Sequence, residues 1–105
     1  MTLKELAEQN GFRVFSPEYM DRHTNTYSLP WLHELQQWLI TSMDIYVQVQ
    51  CFNSFNWGAR VYQLNYNPDK GAPIIHEDES AEHATYKDAL IAGLKEAFEW
   101  IEQSN

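Results

Sequence analysis

The chain has 105 residues and a formal charge of −8, from 15 acidic and 7 basic side chains. That balance disfavours non-specific binding to nucleic acid or to an anionic membrane, because both depend on basic surface. Hydrophobic residues make up 44% and aromatics 14%, which excludes a disordered chain.

At this length a single domain spanning residues 1–105 is expected, large enough to bury a core without staples. Cys51 is the lone cysteine, so neither an intrachain disulfide nor a cysteine metal cluster is available. The first residues lack the apolar run of a signal peptide. Nothing approaches the run of about 18 apolar residues that a membrane span needs. A cytoplasmic protein with no membrane association is expected.

Thr2 and Glu5 form a T-x-x-E capping box ahead of a short helix whose apolar face is Leu3, Leu6 and Ala7. Asn10-Gly11 stops it. Phe12, Val14 and Phe15 read as buried, and Pro17 interrupts that segment. Asp21 to Thr26 is polar and turn-like, with a short extended piece around Thr26 to Ser28.

Ser28 opens a second helix that tolerates Pro30 in its first turn. Trp31, Leu32, Leu35, Trp38, Leu39 and Met43 keep helical spacing along it. The period then becomes two-fold. Ile45, Val47, Val49 and Cys51 alternate with Tyr46, Gln48, Gln50 and Phe52, as in a strand whose aliphatic face is inward.

Asn53 to Gly58 is a turn, and a second strand runs from Ala59 to Tyr66. Tyr62, Leu64 and Tyr66 carry more apolar area than Ala59 and Val61, so the former are expected inward. The outer face would then hold Gln48, Gln50, Gln63 and Asn65, without charge. Asn67 to Gly71 is a strong turn signal, and Ile74 and Ile75 suit a short third strand. An acidic loop over residues 77–84 follows.

Thr85 caps the last helix, with Asp88 three residues on. Leu90, Leu94, Ala97, Phe98 and Ile101 form its apolar stripe. Gly93, mid-helix, costs roughly 1 kcal/mol against Ala, and close approach to another backbone is the expected compensation. The predicted fold is α+β: a small antiparallel sheet of two or three strands covered on one face by helices, in the order α-α-β-β-(β)-α.

Candidate chemistry is sparse. His76, Glu77, Asp78, Glu79 and His83 form the densest set of ligand-type residues, but their spacing matches no metal pattern, and a solvated acidic loop is the commoner reading. His33-Glu34 lacks the second histidine of H-E-x-x-H, because position 37 is Gln37. Cys51 falls on the expected inward strand face, where a small buried hydrophobe is commoner than a nucleophile. No catalytic residue, metal or cofactor is assigned.

The hairpin loop is the better candidate. Phe55 and Trp57 lie at or near a turn, and Arg60 follows. Aromatics and arginine are enriched at binding hot spots, and Arg60 can add a hydrogen-bond fork or a cation–π contact. The competing reading folds both rings back over the core. The predicted binding residues are Phe55, Trp57 and Arg60.

The runs Leu29 to Leu39, Ile45 to Val49, Trp57 to Leu64 and Tyr86 to Leu94 resemble a group of small uncharacterised proteins from phages and mobile elements of Bacteroides-type bacteria. Those proteins share an L-x-x-W-L helix, an alternating aromatic hairpin and a final Y-x-x-A-L-x-x-G-L helix. The resemblance covers Ser28 to Ile101 and implies fold and context; it supplies no site residues.

Three function classes remain. The first is a protein-interaction module with an unidentified, basic protein partner. The second is a small enzyme or ligand-binding domain with a pocket between sheet and helices, drawing on Tyr62, His33 and Arg60. The third is a structural homo-oligomer joined through an edge strand or through the Trp-rich second helix, which an uncharged outer strand face makes plausible.

Overall fold

Helix α3, Tyr86–Ser104, is the element against which the others pack. The computed structural model describes residues 2–13, 20–21, 26–53, 56–64, 73–78 and 83–104. Ahead of α3 come α1 (Leu3–Gln9), β1 (Met20–Asp21), β2 (Thr26–Tyr27), α2 (Leu29–Met43), β3 (Ile45–Asn53), β4 (Asn56–Gln63) and β5 (Ile74–Glu77). The last three strands form an antiparallel sheet in the order β3-β4-β5, and α3 crosses all of them. Helix α2 lies against β3 and α3, and α1 packs on α3.

The class is α+β, with helices on one face of a small antiparallel sheet. The third strand forms, and so does the extended piece expected around Thr26 to Ser28: it is β2, paired with an added β1 in a two-stranded ribbon between the first two helices. The expected burial of Val14 and Phe15, the placements of Phe55, Asn65 and Tyr66, and the turn from Asn67 to Gly71 concern residues outside those described.

Helix ends follow the sequence closely. The Thr2 hydroxyl accepts from the Glu5 N–H at 3.2 Å and donates to the Glu5 carboxylate at 3.0 Å. Gly11 stops α1 with φ of +102°, a conformation open to glycine at little cost. Ser28 accepts from the Trp31 N–H at 3.3 Å, and Thr85 accepts from the Asp88 N–H at 3.1 Å. Asp44 closes α2 with φ of 55°, the one non-glycine left-handed residue among those described. Aspartate tolerates that region better than most residues, and the turn feeds the chain directly into β3.

The core joins three helix stripes to one sheet face. Leu90, Leu94, Ala97, Phe98 and Ile101 of α3 are buried, as are Trp31, Leu32, Leu35 and Leu39 of α2 and Leu3, Leu6 and Ala7 of α1. Phe12 is buried too, edge-on to Trp31 and Trp38 with ring centroids 5.9 and 5.7 Å away. From the sheet come Ile45, Val47, Ala59 and Val61.

The facing of β4 is therefore the reverse of the expectation. Val61 and Ala59 point at the helices, Tyr62 lies half-buried on the other face, and Leu64 is exposed. Cross-strand register decides it: Val47 pairs with Val61 and Val49 with Ala59, so the aliphatic face of β3 carries its partners with it. Ranking single residues by apolar area ignores this coupling. The same register places Gln63 beside Ile45 on the helix side, and puts Arg60 and Glu77 on the outer face, which is therefore not free of charge.

Cys51 also departs from expectation. It is exposed, and its thiol donates to the Asn53 carbonyl at 3.3 Å. Burial along β3 falls away from Ile45 towards Asn53, so this edge strand outruns its helical cover, while Trp57 of β4 beside it stays half-buried against Tyr86 of α3.

Candidate functional site

The helix-free face of the sheet is organised in cross-strand rows. Tyr46, Tyr62 and Ile74 form one row, and Gln48, Arg60 and Glu77 the next. The Tyr46 and Tyr62 rings stack with centroids 6.3 Å apart and planes 18° from parallel. Ile74 beside them is 49% exposed.

Arg60 is the hub of this face. Its Nε donates to Glu77 Oε1 at 2.8 Å, and its Nη2 lies 2.6 Å from the same oxygen. Its Nη1 donates to the Tyr62 hydroxyl at 3.4 Å, and that hydroxyl donates to Gln48 Oε1 at 3.3 Å. With its carboxamide oxygen turned towards Arg60, Gln50 accepts from Nε at 3.1 Å and Nη1 at 3.0 Å. The guanidinium pKa is raised above its ordinary value, first by the Tyr62 hydrogen bond; desolvation opposes this, and Glu77 adds to it by hydrogen bond and charge. Arg60 thus joins Tyr62, Gln50 and the Glu77 carboxylate in one hydrogen-bonded cluster.

The distal hairpin carries the aromatics. Phe52 is 48% exposed. It lies over Gly58, where an added Cβ would stand 2.9 Å from Phe52 Cε2. Trp57 is half-buried at the start of β4, edge-on to Tyr86 of α3 with centroids 5.8 Å apart.

Asp78 is the buried charged residue among those described, and it has a structural explanation. Its N–H donates to the Ala59 carbonyl at 3.0 Å. The chain then leaves β4 and returns at His83, which exchanges two backbone hydrogen bonds with Trp57, at 2.8 and 3.1 Å. The Ala59 N–H, left without a carbonyl from the departing chain, donates to Asp78 Oδ2 at 2.8 Å. The carboxylate thus substitutes for a ladder acceptor.

Two imidazoles flank that carboxylate. His76 Nε2 is 2.8 Å from Oδ1, and His83 Nε2 is 3.6 Å from Oδ2. On its other side His76 Nδ1 lies 3.7 Å from Glu96 of α3. A carboxylate that orients an imidazole is half of an acid–base arrangement. Here, however, one carboxylate oxygen is committed to a backbone N–H and the histidines approach opposite oxygens. Among the described residues, no group of three His, Cys, Asp or Glu side chains is placed to hold a metal ion. Asp78 belongs to a segment expected as a solvated loop; its burial becomes understandable only from the strand register.

Of the residues singled out in the sequence, Phe55 lies outside those described. Trp57 and Arg60 are three apart on a regular stretch of β4 and so occupy opposite faces: Trp57 the helix side, Arg60 the outer side. They do not form one cation–π site. His33 meets the Tyr86 hydroxyl at 3.3 Å on the helix side, away from Tyr62 and Arg60. Phe52 was legible as an outward residue of β3, but that its ring reaches diagonally over Gly58, the partner of Gln50, is visible only once the register is known.

Comparison with family models, with curated proteins and with solved structures finds no match. No helix among the described residues is long and apolar enough to cross a membrane.

Proposed function

We propose that this protein is a cytoplasmic protein-interaction module, of the kind carried by phages and mobile elements, that engages a basic protein through the distal end of its β3–β4 hairpin. One observation carries the reading: β3 loses its helical cover towards Asn53, which leaves Phe52 exposed at the hairpin end, beside half-buried Trp57 on the other face of β4. Large rings at the end of a hairpin lose little conformational entropy on binding and bring much apolar area. Phe55, two residues before Trp57 in the chain, is proposed for the same contact.

The formal charge of −8 supplies attraction to a basic partner and speeds encounter at low salt. Exposed Asp88, Glu99 and Glu102 on α3 contribute to that field.

The test is affinity capture from lysate of a Bacteroides-type host, comparing the parent chain with a Phe52→Ala/Trp57→Ala variant whose circular dichroism matches the parent. The expected result is a basic protein retained by the parent, released by salt and lost with the variant. A partner retained equally by both, or the same absence of any partner from both, overturns the hairpin reading.

A further inference from the structure

We infer that Asn10 is a site of spontaneous deamidation, and that its conversion to a carboxylate loosens the end of α1 from α3. The inference is independent of the hairpin reading.

The reactive pair stands in the sequence. Asn10-Gly11 is the one Asn-Gly bond in the chain; the other asparagines that have a following residue precede Thr26, Ser54, Trp57, Tyr66 and Pro68. Glycine puts no side chain in the path of its own nitrogen, and it reaches the backbone dihedrals that bring that nitrogen to the preceding side chain. The step balances with water alone. The Gly11 amide gives its proton to solvent and its nitrogen bonds to Asn10 Cγ. The Cγ–Nδ2 bond breaks, and ammonia leaves with a proton taken from water. A second water opens the five-membered imide at one of its two carbonyls. The products are aspartate and its isomer, in which the main chain runs through the side-chain carbon.

The consequence is set by what Asn10 holds. Its Nδ2 donates to the Leu6 carbonyl at 2.8 Å and to Glu102 Oε1 of α3 at 3.1 Å. One amide thus caps α1 and ties it to the far end of the chain. A carboxylate at position 10 donates neither bond. It faces Glu102 with like charge and stands at the negative end of α1. The isomer also lengthens the main chain just before Phe12, which is buried edge-on to Trp31 and Trp38.

The fold slows this reaction and leaves a route to it. The Gly11 N–H donates to the Glu8 carbonyl at 3.1 Å, so it must leave that bond before it attacks. The opening required is local. Helix α1 has seven residues, too few to stand alone, and Gly11 at its end is exposed. Terminal turns open at free energies well below that of global unfolding. The product recloses less well than the parent, so the change runs one way.

Incubation of the folded chain at mildly alkaline pH and physiological temperature, followed by peptide mass spectrometry, tests the site. A short peptide carrying Gln9-Asn10-Gly11-Phe12 gives the unfolded rate. Conversion is expected at Asn10 ahead of Asn53 and Asn56, slower than in the peptide, and absent from Asn10→Gln, whose longer side chain does not close the five-membered ring. Asn10→Asp, made directly, tests the consequence. Amide protection at Gly11 and Phe12 is expected to fall about tenfold while that of Val61 holds. Adding Glu102→Gln to Asn10→Asp is expected to restore part of it, which a general folding defect cannot mimic. An Asn10 still intact in the folded chain long after the peptide has fully converted overturns the site. Parent-like protection in Asn10→Asp, or no recovery on adding Glu102→Gln, overturns the loosening through Glu102.

Discussion

Gly93 of α3 lies directly over Ala59 of β4: a Cβ built on Gly93 would stand 2.8 Å from the Ala59 Cβ and 2.7 Å from Val47 Cγ1. The compensation for a mid-helix glycine is therefore an approach to the sheet's side chains rather than to another bare backbone. Alanine would gain about 1 kcal/mol of helix propensity. Against that stand two contacts shorter than real Cβ atoms make. Ala59 cannot retreat without its strand, and a valine is stiff about χ1. Overpacking of this kind costs about 1–3 kcal/mol, and two simultaneous contacts place it towards the upper end. Gly93→Ala should thus be destabilising by about 1–2 kcal/mol, a fall in Tm of roughly 5–15 °C. A Tm equal to or above the parent's would show that the helix can lift off the sheet at no cost.

The facing of β4 yields a paired prediction. Val61 is fully buried and Leu64 is 37% exposed. Removing the larger side chain should therefore matter less. Val61→Ala should cost about 2 kcal/mol through lost burial and the cavity left behind. Leu64→Ala should stay near 0.5 kcal/mol. Urea denaturation of the two variants checks this, and the reverse ranking would restore the assignment based on apolar area.

Thr85 gives a smaller effect with a local signature. Its hydroxyl accepts from the Asp88 N–H at 3.1 Å, satisfying one of the orphan donors in the first turn of α3. Thr85→Ala should cost about 1 kcal/mol, and Thr85→Ser or Thr85→Asp should recover most of it. Thermal melts of the three variants decide the matter; equal losses in all three would assign the effect to packing instead of capping.

These cases mark what the sequence makes legible. Helix stripes and caps depend on residues three or four apart, so Leu90, Leu94 and Phe98, or Ser28 with Trp31, can be read locally. Facing in a sheet depends on a partner strand. Tyr62 reads as inward until Val61 is seen opposite Val47, and Cys51 reads as buried until β3 is seen to outrun its cover. The candidate site suffers from the same non-locality. Trp57 and Arg60 look adjacent in the chain but lie on opposite faces, while Arg60 and Glu77, 17 residues apart, touch. Asp78 is the sharpest case, because its burial follows from where the backbone departs from β4.

That departure gives the last prediction. Asp78 Oδ2 accepts the Ala59 N–H at 2.8 Å while Oδ1 meets His76 at 2.8 Å, and the side chain is 6% exposed. Asp78→Ala would leave a buried N–H without an acceptor, at about 1–3 kcal/mol. Asp78→Asn keeps an acceptor oxygen of the same reach and should cost less. The two variants should separate most clearly in amide exchange at Ala59. Its protection should fall by about tenfold or more with alanine, and by less with asparagine. Trp57, held by its two backbone bonds to His83, should lose protection in the same order, because the carboxylate and that bridge pin the same departure and return of the chain. Unchanged exchange at Ala59 with alanine at position 78 would falsify the role of the carboxylate as a ladder acceptor.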